Sequence, residues 1–335
     1  MKEGTFMKAL VIEEPGSLKI MEVPKPTISS PEEVVVKVEA CGICGTDIHL
    51  FHGLDFARYP IIPGHEFVGI ITELGEKAKE SFKEGERVVV DPNLPCFYCE
   101  ACRRGEINQC KNVINQGVNK NGAYAEYVSV NMKQCYTIPS ELSNEVAVLG
   151  EPMSCVLHGI DRAEITPDEQ VLILGAGPIG TLMYKYLHNI IGVSNIDVIE
   201  ISKERIIAAK EAGVESISDS NRDTTYDVIF EASGSQDAFE NGIKLLKPRG
   251  RFIQFGVANE STLINLSPYE IYRKELNILG SFVNPFTMSR ALKILIDHQD
   301  KFKGIVSKSI TLEKAEEILE GRISTKSILK VMIHF

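Results

Sequence analysis

Apolar residues fall into two textures along the chain, and the change comes near residue 150. Before it they form short runs cut by Gly and Pro: EVVVKVEACGI, IIPGHEFVGIITELG, GERVVVDP and GAYAEYVSV. Runs of this length, rich in Val and Ile and bounded by turn residues, predict β-strands. Helical spacing is scarce until about Ser143. From Val171 the pattern alternates. VLILG predicts a strand, PIGTLMYKYLHNIIG a helix, NIDVIE a strand and SKERIIAAKEAG a helix. YDVIFEAS, QDAFENGIKLLK, GRFIQFG and LNILGSF continue the series. Such alternation predicts a parallel sheet, because a parallel neighbour is reached only through a crossover. The tail holds two amphipathic helices, MSRALKILIDHQ and TLEKAEEILEG, and a closing strand, SILKVMIHF.

The expected fold class is therefore α/β in two domains, which suits a length of 335 residues. A β-rich domain is expected over residues 1–155 and a doubly wound, parallel-sheet domain over residues 156–289. Residues 290–335 are expected to return to the first domain and complete it.

Composition changes this picture little. With 44% hydrophobic and 24% charged residues the chain has a globular make-up. A formal net charge of −10 argues against a nucleic-acid or anionic-membrane surface, which needs clustered Lys and Arg. The start, MKEGTFMKALVIEEPG, has no apolar stretch of signal-peptide length, and no run reaches the roughly 18 apolar residues of a spanning helix. The expected compartment is the cytoplasm, with no membrane partner. In a reducing compartment closely spaced cysteines read as metal ligands rather than disulfides.

Four of the eight cysteines, Cys96, Cys99, Cys102 and Cys110, are spaced C-x2-C-x2-C-x7-C. Four thiolates that close together make the closed tetrahedral site of a structural zinc. An iron–sulfur cluster is the competing reading, since soft sulfur ligation serves both. Zinc is favoured because there is one quartet only, and Lys111 stands where ferredoxin runs place Pro. Cys44, His65 and Glu66 offer a second, mixed donor set within CGICGTDIH and PGHEFVG. A catalytic zinc keeps one position open and acts as a Lewis acid there. Gly175-Ala-Gly177-Pro178-Ile179-Gly180 is a G-x-G-x-x-G turn between a strand and a helix, with Glu200 ending the next strand. That context makes it a dinucleotide site: turn, pyrophosphate approach, helix packing, and an acid for the ribose. Glu200 favours NAD over NADP, while Arg205 offers a stack for adenine or a partner for a 2′-phosphate.

GICGTDIH, GHEFVG, GERVVVDP, the cysteine quartet, NGAYAEYV, GEPMSCVLHG and VLILGAGPIG together resemble the medium-chain zinc alcohol dehydrogenase superfamily over nearly the whole chain. The resemblance implies a GroES-like β-rich catalytic domain followed by a Rossmann domain. It implies two zincs per chain and NAD as cofactor. Carried over, Cys44 and His65 are catalytic zinc ligands, and Glu66 is a ligand or exchange partner. Glu151 occupies the third ligand position, which is cysteine in ethanol-type enzymes and glutamate in the sorbitol dehydrogenase branch. Cys41, Cys135 and Cys155 read as packed thiols. Thr46 and His49 form the implied proton relay, and Val257, Ser281 and Phe282 the implied nicotinamide neighbours. The implied activity is hydride transfer from a secondary alcohol to NAD, the substrate being a polyol, sugar acid or polyol phosphate. A threonine-type 3-hydroxy amino acid dehydrogenase, a zinc-free reductase and a non-enzymatic zinc-ribbon regulator are the rivals. Phe51, Phe56 and Phe286 are candidates for an apolar pocket wall, while Arg58, Lys120 and Arg290 read as surface charge. A homodimer or homotetramer is expected, with the GRFIQFG–LNILGSF edge as the pairing strand.

Overall fold

The computed structural model describes residues 5–53, 57–220 and 224–335. Two large sheets carry the molecule. The first runs Val306–Ile310, Lys330–His334, Glu33–Gly42, Glu66–Leu74, Arg87–Val90 and Cys135–Thr137, with Tyr127–Asn131 also pairing with Glu33–Gly42. The second is parallel throughout, in the order Ile217–Ser218, Asn195–Ile199, Gln170–Leu174, Tyr226–Glu231, Leu246–Gln254 and Asn277–Gly280. Strand order reverses beside Gln170–Leu174, and in such sheets ligands bind past the carboxyl ends at that reversal.

The patterned strands form close to where expected, with edges trimmed by local chemistry. In IIPGHEFVGIITELG the strand starts only at Glu66, since Pro63 and Gly64 interrupt the ladder. GAYAEYVSV narrows to Tyr127–Asn131. Phe6–Glu14 and Ser17–Pro24 form an additional hairpin. Among the described residues no helix is long and apolar enough to cross a membrane.

The C-terminal strand Lys330–His334 lies antiparallel to Glu33–Gly42, with Met332 opposite Gly42 and Ile333 opposite Cys41. The opposite side of Gly42 faces Glu66. Three distant segments thus meet at the end of one strand. The helix Gly150–Ala163 bridges the two sheets: its Met153, Val156 and Leu157 share a core with Ala40 and Val68 of the first and Val171 and Ile173 of the second. The helix Met288–Asp297 packs into that same core through Met288, Ala291, Leu292 and Leu295. These two helices run through the expected domain junctions at 155/156 and 289/290.

Ile333 is fully buried in the strand that returns to the first sheet. Ile333→Ala should lower unfolding free energy by about 2–5 kcal/mol, as for other large-to-small core changes. Denaturant unfolding measures it, and a loss below about 0.5 kcal/mol would mean the strand is not packed as described.

Candidate metal centres and dinucleotide cleft

Cys44 caps the helix Gly45–His52 in a reciprocal arrangement with Asp47. Its N–H donates to Asp47 Oδ2 at 2.8 Å, which fixes the thiol at the helix N-terminus and turns Asp47 inward. Asp47 is fully buried and also accepts from the Tyr124 hydroxyl at 2.7 Å. Its Oδ1 lies 3.6 Å from His65 Nδ1. Burial opposes a charge on His65, but the Asp47 carboxylate and the Cys44 sulfur outweigh it and raise the imidazole well above its ordinary value. With Nδ1 facing Asp47, Nε2 is left for a metal, which is how a carboxylate orients a histidine ligand.

The ligand atoms of Cys44, His65 and Glu66 lie within 4.8 Å of one another. Glu66 opens its strand in a buried position, and Lys330 Nζ approaches its Oε1 to 2.6 Å. Burial works against the ammonium, and the Glu66 carboxylate overcomes this and raises Lys330. The pair closes over Gly42. A Cβ there would sit 2.1 Å from Glu66 Oε2 and 3.0 Å from Lys330 Cε. Glu151, in the first turn of Gly150–Ala163, stays outside the tight trio. Its Oε1 accepts from the Cys155 thiol at 3.2 Å. Burial pushes Glu151 up to about 7; His65 pulls against this, and the Glu66 charge reinforces it. Thr46 Oγ1 accepts from Cys44 Sγ at 3.7 Å, and His49 is exposed one turn along the same helix. A sulfur, an imidazole and a carboxylate within 4.8 Å of one another, with a second carboxylate buried nearby, suit zinc.

In the cysteine quartet the Cys99 and Cys110 sulfurs are 3.9 Å apart. Tetrahedral zinc with bonds of about 2.3 Å separates its sulfurs by about 3.8 Å. Cys110 Sγ accepts from the N–H groups of Cys96 at 3.3 Å and Asn112 at 3.4 Å. Burial raises the Cys96 thiol, but the N–H groups of Tyr98 and Cys99 and the Asn112 amide bring it down to about 6. Burial and the neighbouring thiols push Cys102 up to about 12. Four crowded sulfurs cannot all ionise unaided, and a divalent cation removes that conflict. The residues therefore fit a closed zinc site.

Gly175, Gly177, Pro178, Ile179, Glu200 and Arg205 line one cleft at the reversal of the parallel sheet. Gly175 has φ +103°, the turn that only glycine takes easily. Gly180 lies outside the lining, and a Cβ on it would meet the Gly175 carbonyl at 1.9 Å. Its role is close packing of helix on strand. Glu200 is buried, with Oε2 accepting from Ala176 N–H at 3.0 Å and Oε1 from Ser202 N–H at 2.9 Å. The Arg205 guanidinium lies over Gly177. Ser281 Oγ is buried without a partner, whereas Val257 and Phe282 are 77% and 59% exposed. None of these three lines the Gly175 cleft; Phe282 lines a second cavity with Asp91 and Asn284.

Of the other sequence candidates, Phe51 is buried, Phe286 is exposed and Phe56 lies outside the described residues. Arg290 pairs with Asp161 at 2.5 Å, and Arg58 is exposed. Asp47 and Lys330 are participants that sequence reasoning missed. The Cys-x-x-Asp spacing of a capping box was a usable signal for Asp47, and a lone lysine in the apolar strand KVMIH for Lys330.

Residues 30–140 match the alcohol dehydrogenase GroES-like domain family, and residues 178–297 the zinc-binding dehydrogenase family. The chain is 32% identical to D-arabinitol dehydrogenase 1 of Uromyces fabae, over 98% of this chain and 97% of that protein. It superposes with a TM-score of 0.92 on a protein of Sinorhizobium meliloti 1021 described as a zinc-binding dehydrogenase and bound to NADP. That pair is 31% identical, with 98% of this chain and 99% of the other covered. An alcohol dehydrogenase of Escherichia coli CFT073 complexed with NADH gives a TM-score of 0.89 at 29% identity, covering 99% and 100% of the two chains.

Lys330→Ala would leave the Glu66 carboxylate buried without its partner. Breaking a buried pair in this way costs about 3–5 kcal/mol. We expect that loss in chemical denaturation of the metal-free protein, with zinc restoring part of it. An unchanged midpoint would contradict the pairing.

Proposed function

The chain belongs to the zinc-binding alcohol dehydrogenase family, and on that footing we propose that it oxidises a secondary hydroxyl of a polyol-type small molecule with NAD as hydride acceptor. The observation that carries this reading is the approach of Cys44, His65 and Glu66 to within 4.8 Å, with Glu151 buried beside them. Bound zinc supplies Lewis-acid stabilisation of charge on the substrate oxygen, and bound NAD takes the hydride.

Each side chain has a defined task in this scheme. Cys44, His65 and Glu151 hold the catalytic metal. Glu66, tethered by Lys330, would be a further ligand or exchange partner of that metal. Asp47 fixes the orientation of His65. The substrate proton leaves through the Thr46 hydroxyl to His49, whose exposed imidazole passes it to water. Cys96, Cys99, Cys102 and Cys110 hold a second zinc that is coordinatively closed and has no part in the chemistry.

The helix N-terminus at Gly177, Pro178 and Ile179 receives the pyrophosphate. Glu200, held by two main-chain N–H groups, meets the adenosine ribose and disfavours a 2′-phosphate. Arg205 counters that charge, so preference for NAD is expected to be strong but incomplete. Val257, Ser281 and Phe282 flank the nicotinamide. We assign residues 1–155 and 290–335 to the catalytic domain and 156–289 to the NAD domain. Asn277–Gly280 is the edge of the parallel sheet among the described residues, and an unpaired edge of this kind suits antiparallel pairing in a homodimer or homotetramer. Eight cysteines without a disulfide among the described residues suit a reducing cytoplasm.

NADH absorbance over a panel of polyols, sugar acids and their phosphates tests this reading. Zinc-replete protein should form NADH with at least one of them, and a chelator should abolish it. Glu151→Ala should lower kcat by about 100-fold or more. No NADH from any alcohol, with zinc and NAD both bound, would overturn the reading.

A further inference from the structure

Glu231 closes the strand Tyr226–Glu231 at the carboxyl end of the parallel sheet, and it is fully buried. A buried carboxylate is costly, and a strand gains nothing by ending in one. Its two oxygens gather four donors. Oε1 accepts from Ser233 N–H at 2.8 Å, from the Ser233 hydroxyl and from Gly234 N–H at 3.0 Å. Oε2 accepts from Gly234 N–H at 3.0 Å and from Gln254 Nε2 at 2.9 Å. Both oxygens act only as acceptors, a demand that a carboxylate meets and an amide does not.

These bonds join two loops. On one side, Ala232, Ser233 and Ser235 line the dinucleotide cleft. The Ser233 hydroxyl oxygen also accepts from Ser235 N–H at 3.2 Å, and Ser235 caps the helix Gln236–Gly242, whose Asp237 and Asn241 line the same cleft. On the other side, Gln254 Nε2 donates to Gly256 O at 2.7 Å. The Glu231 carbonyl accepts from the N–H groups of Phe255 at 3.0 Å and Gly256 at 2.7 Å. The loops touch with no side chain between them. A Cβ on Gly234 would overlap the Val257 carbonyl, and one on Gly256 would overlap Gly234 N and lie 2.7 Å from Glu231 Oε2. The Gly175 turn closes on the same point, since a Cβ there would lie 3.2 Å from Ser233 N. Three turns at the carboxyl ends of three adjacent strands therefore meet around one carboxylate.

We propose that Glu231 is a positioning residue for the dinucleotide: it locks the turn 232–235 to the loop 255–257, so that the adenosine half of the cofactor and its nicotinamide are seated as one unit. This inference rests on the reading above, which places adenosine at Glu200 and Arg205 and nicotinamide at Val257. Val257 is 77% exposed, so its place is set by the backbone beneath it rather than by packing of its side chain. With Gln at position 231, one oxygen becomes a donor that faces the donors of Gly234 and Gln254, and the lock between the loops opens. A cofactor bound across both loops then loses preorganisation, whereas a fragment held at the adenosine end keeps it.

The test titrates NADH and AMP separately into the zinc-loaded protein, following NADH by its fluorescence and AMP by calorimetry. In Glu231→Gln the ratio of NADH to AMP affinity should fall about 10-fold, nearly all of it through NADH. A general loosening of the domain weakens both ligands alike and leaves the ratio in place. A ratio within about 2-fold of the natural chain's would therefore overturn the proposal. Should Glu231→Gln not fold, Gln254→Leu decides on the same ratio. It leaves the turn bonded to Glu231 and cuts only the link to Gly256, so a fall of about 3-fold or more is expected, and an unmoved ratio refutes the lock. A natural chain that does not bind NADH would overturn the dinucleotide reading and this inference with it. NADH binding with an unmoved ratio overturns this inference alone.

Discussion

The buried ion pair between Lys330 and Glu66 is the contact on which the arrangement of the candidate metal centre depends. It joins residues 264 positions apart. It exists only because Met332 is in register with Gly42 and Gly42 with Glu66. A slip of one residue would turn Lys330 to the opposite face of the sheet and leave the Glu66 carboxylate buried alone. Gly42 is part of the same constraint, since a side chain there would occupy the space in which the two charges meet. The centre is thus assembled by sheet register as much as by the motifs that supply its ligands. Asp47 acts similarly on the other side, linking Cys44, Tyr124 and His65 without itself being a candidate ligand.

The helix Gly150–Ala163 extends this order from one sheet to the other. Its first turn carries Glu151. Further along, a Cβ on Gly159 would meet the Phe255 ring at 2.9 Å and Ser281 Oγ at 3.3 Å. One rigid element therefore sets the spacing between the proposed third zinc ligand and the proposed nicotinamide neighbours. Hydride transfer needs donor and acceptor held at close range, and a helix buried in a shared core provides that better than a loop.

Much of this was legible in the residues. The parallel sheet followed from alternating patterns, because a buried parallel strand must be apolar on both faces and its crossover helix amphipathic. The quartet and the Gly175–Gly180 turn were legible because their chemistry lies in short spacing. Legibility stopped where function depends on distant partners. Lys330 and Glu66, and Cys155 and Glu151, meet through register and packing that local pattern does not encode. The reading of Cys155 as a packed thiol missed its bond to Glu151 for this reason. Glu200 was expected to meet the ribose, and local pattern did not show that its two oxygens accept from the main chain at Ala176 and Ser202.

The central claim is that two zinc sites divide their work, the quartet serving the fold and the Cys44 centre the chemistry. Zinc content per chain, measured by mass spectrometry alongside turnover, tests it most directly. The account predicts two zincs in the natural chain, and one in His65→Ala with turnover lost and the fold retained. A natural chain holding one zinc, kept by His65→Ala and lost on replacing Cys99, would contradict it.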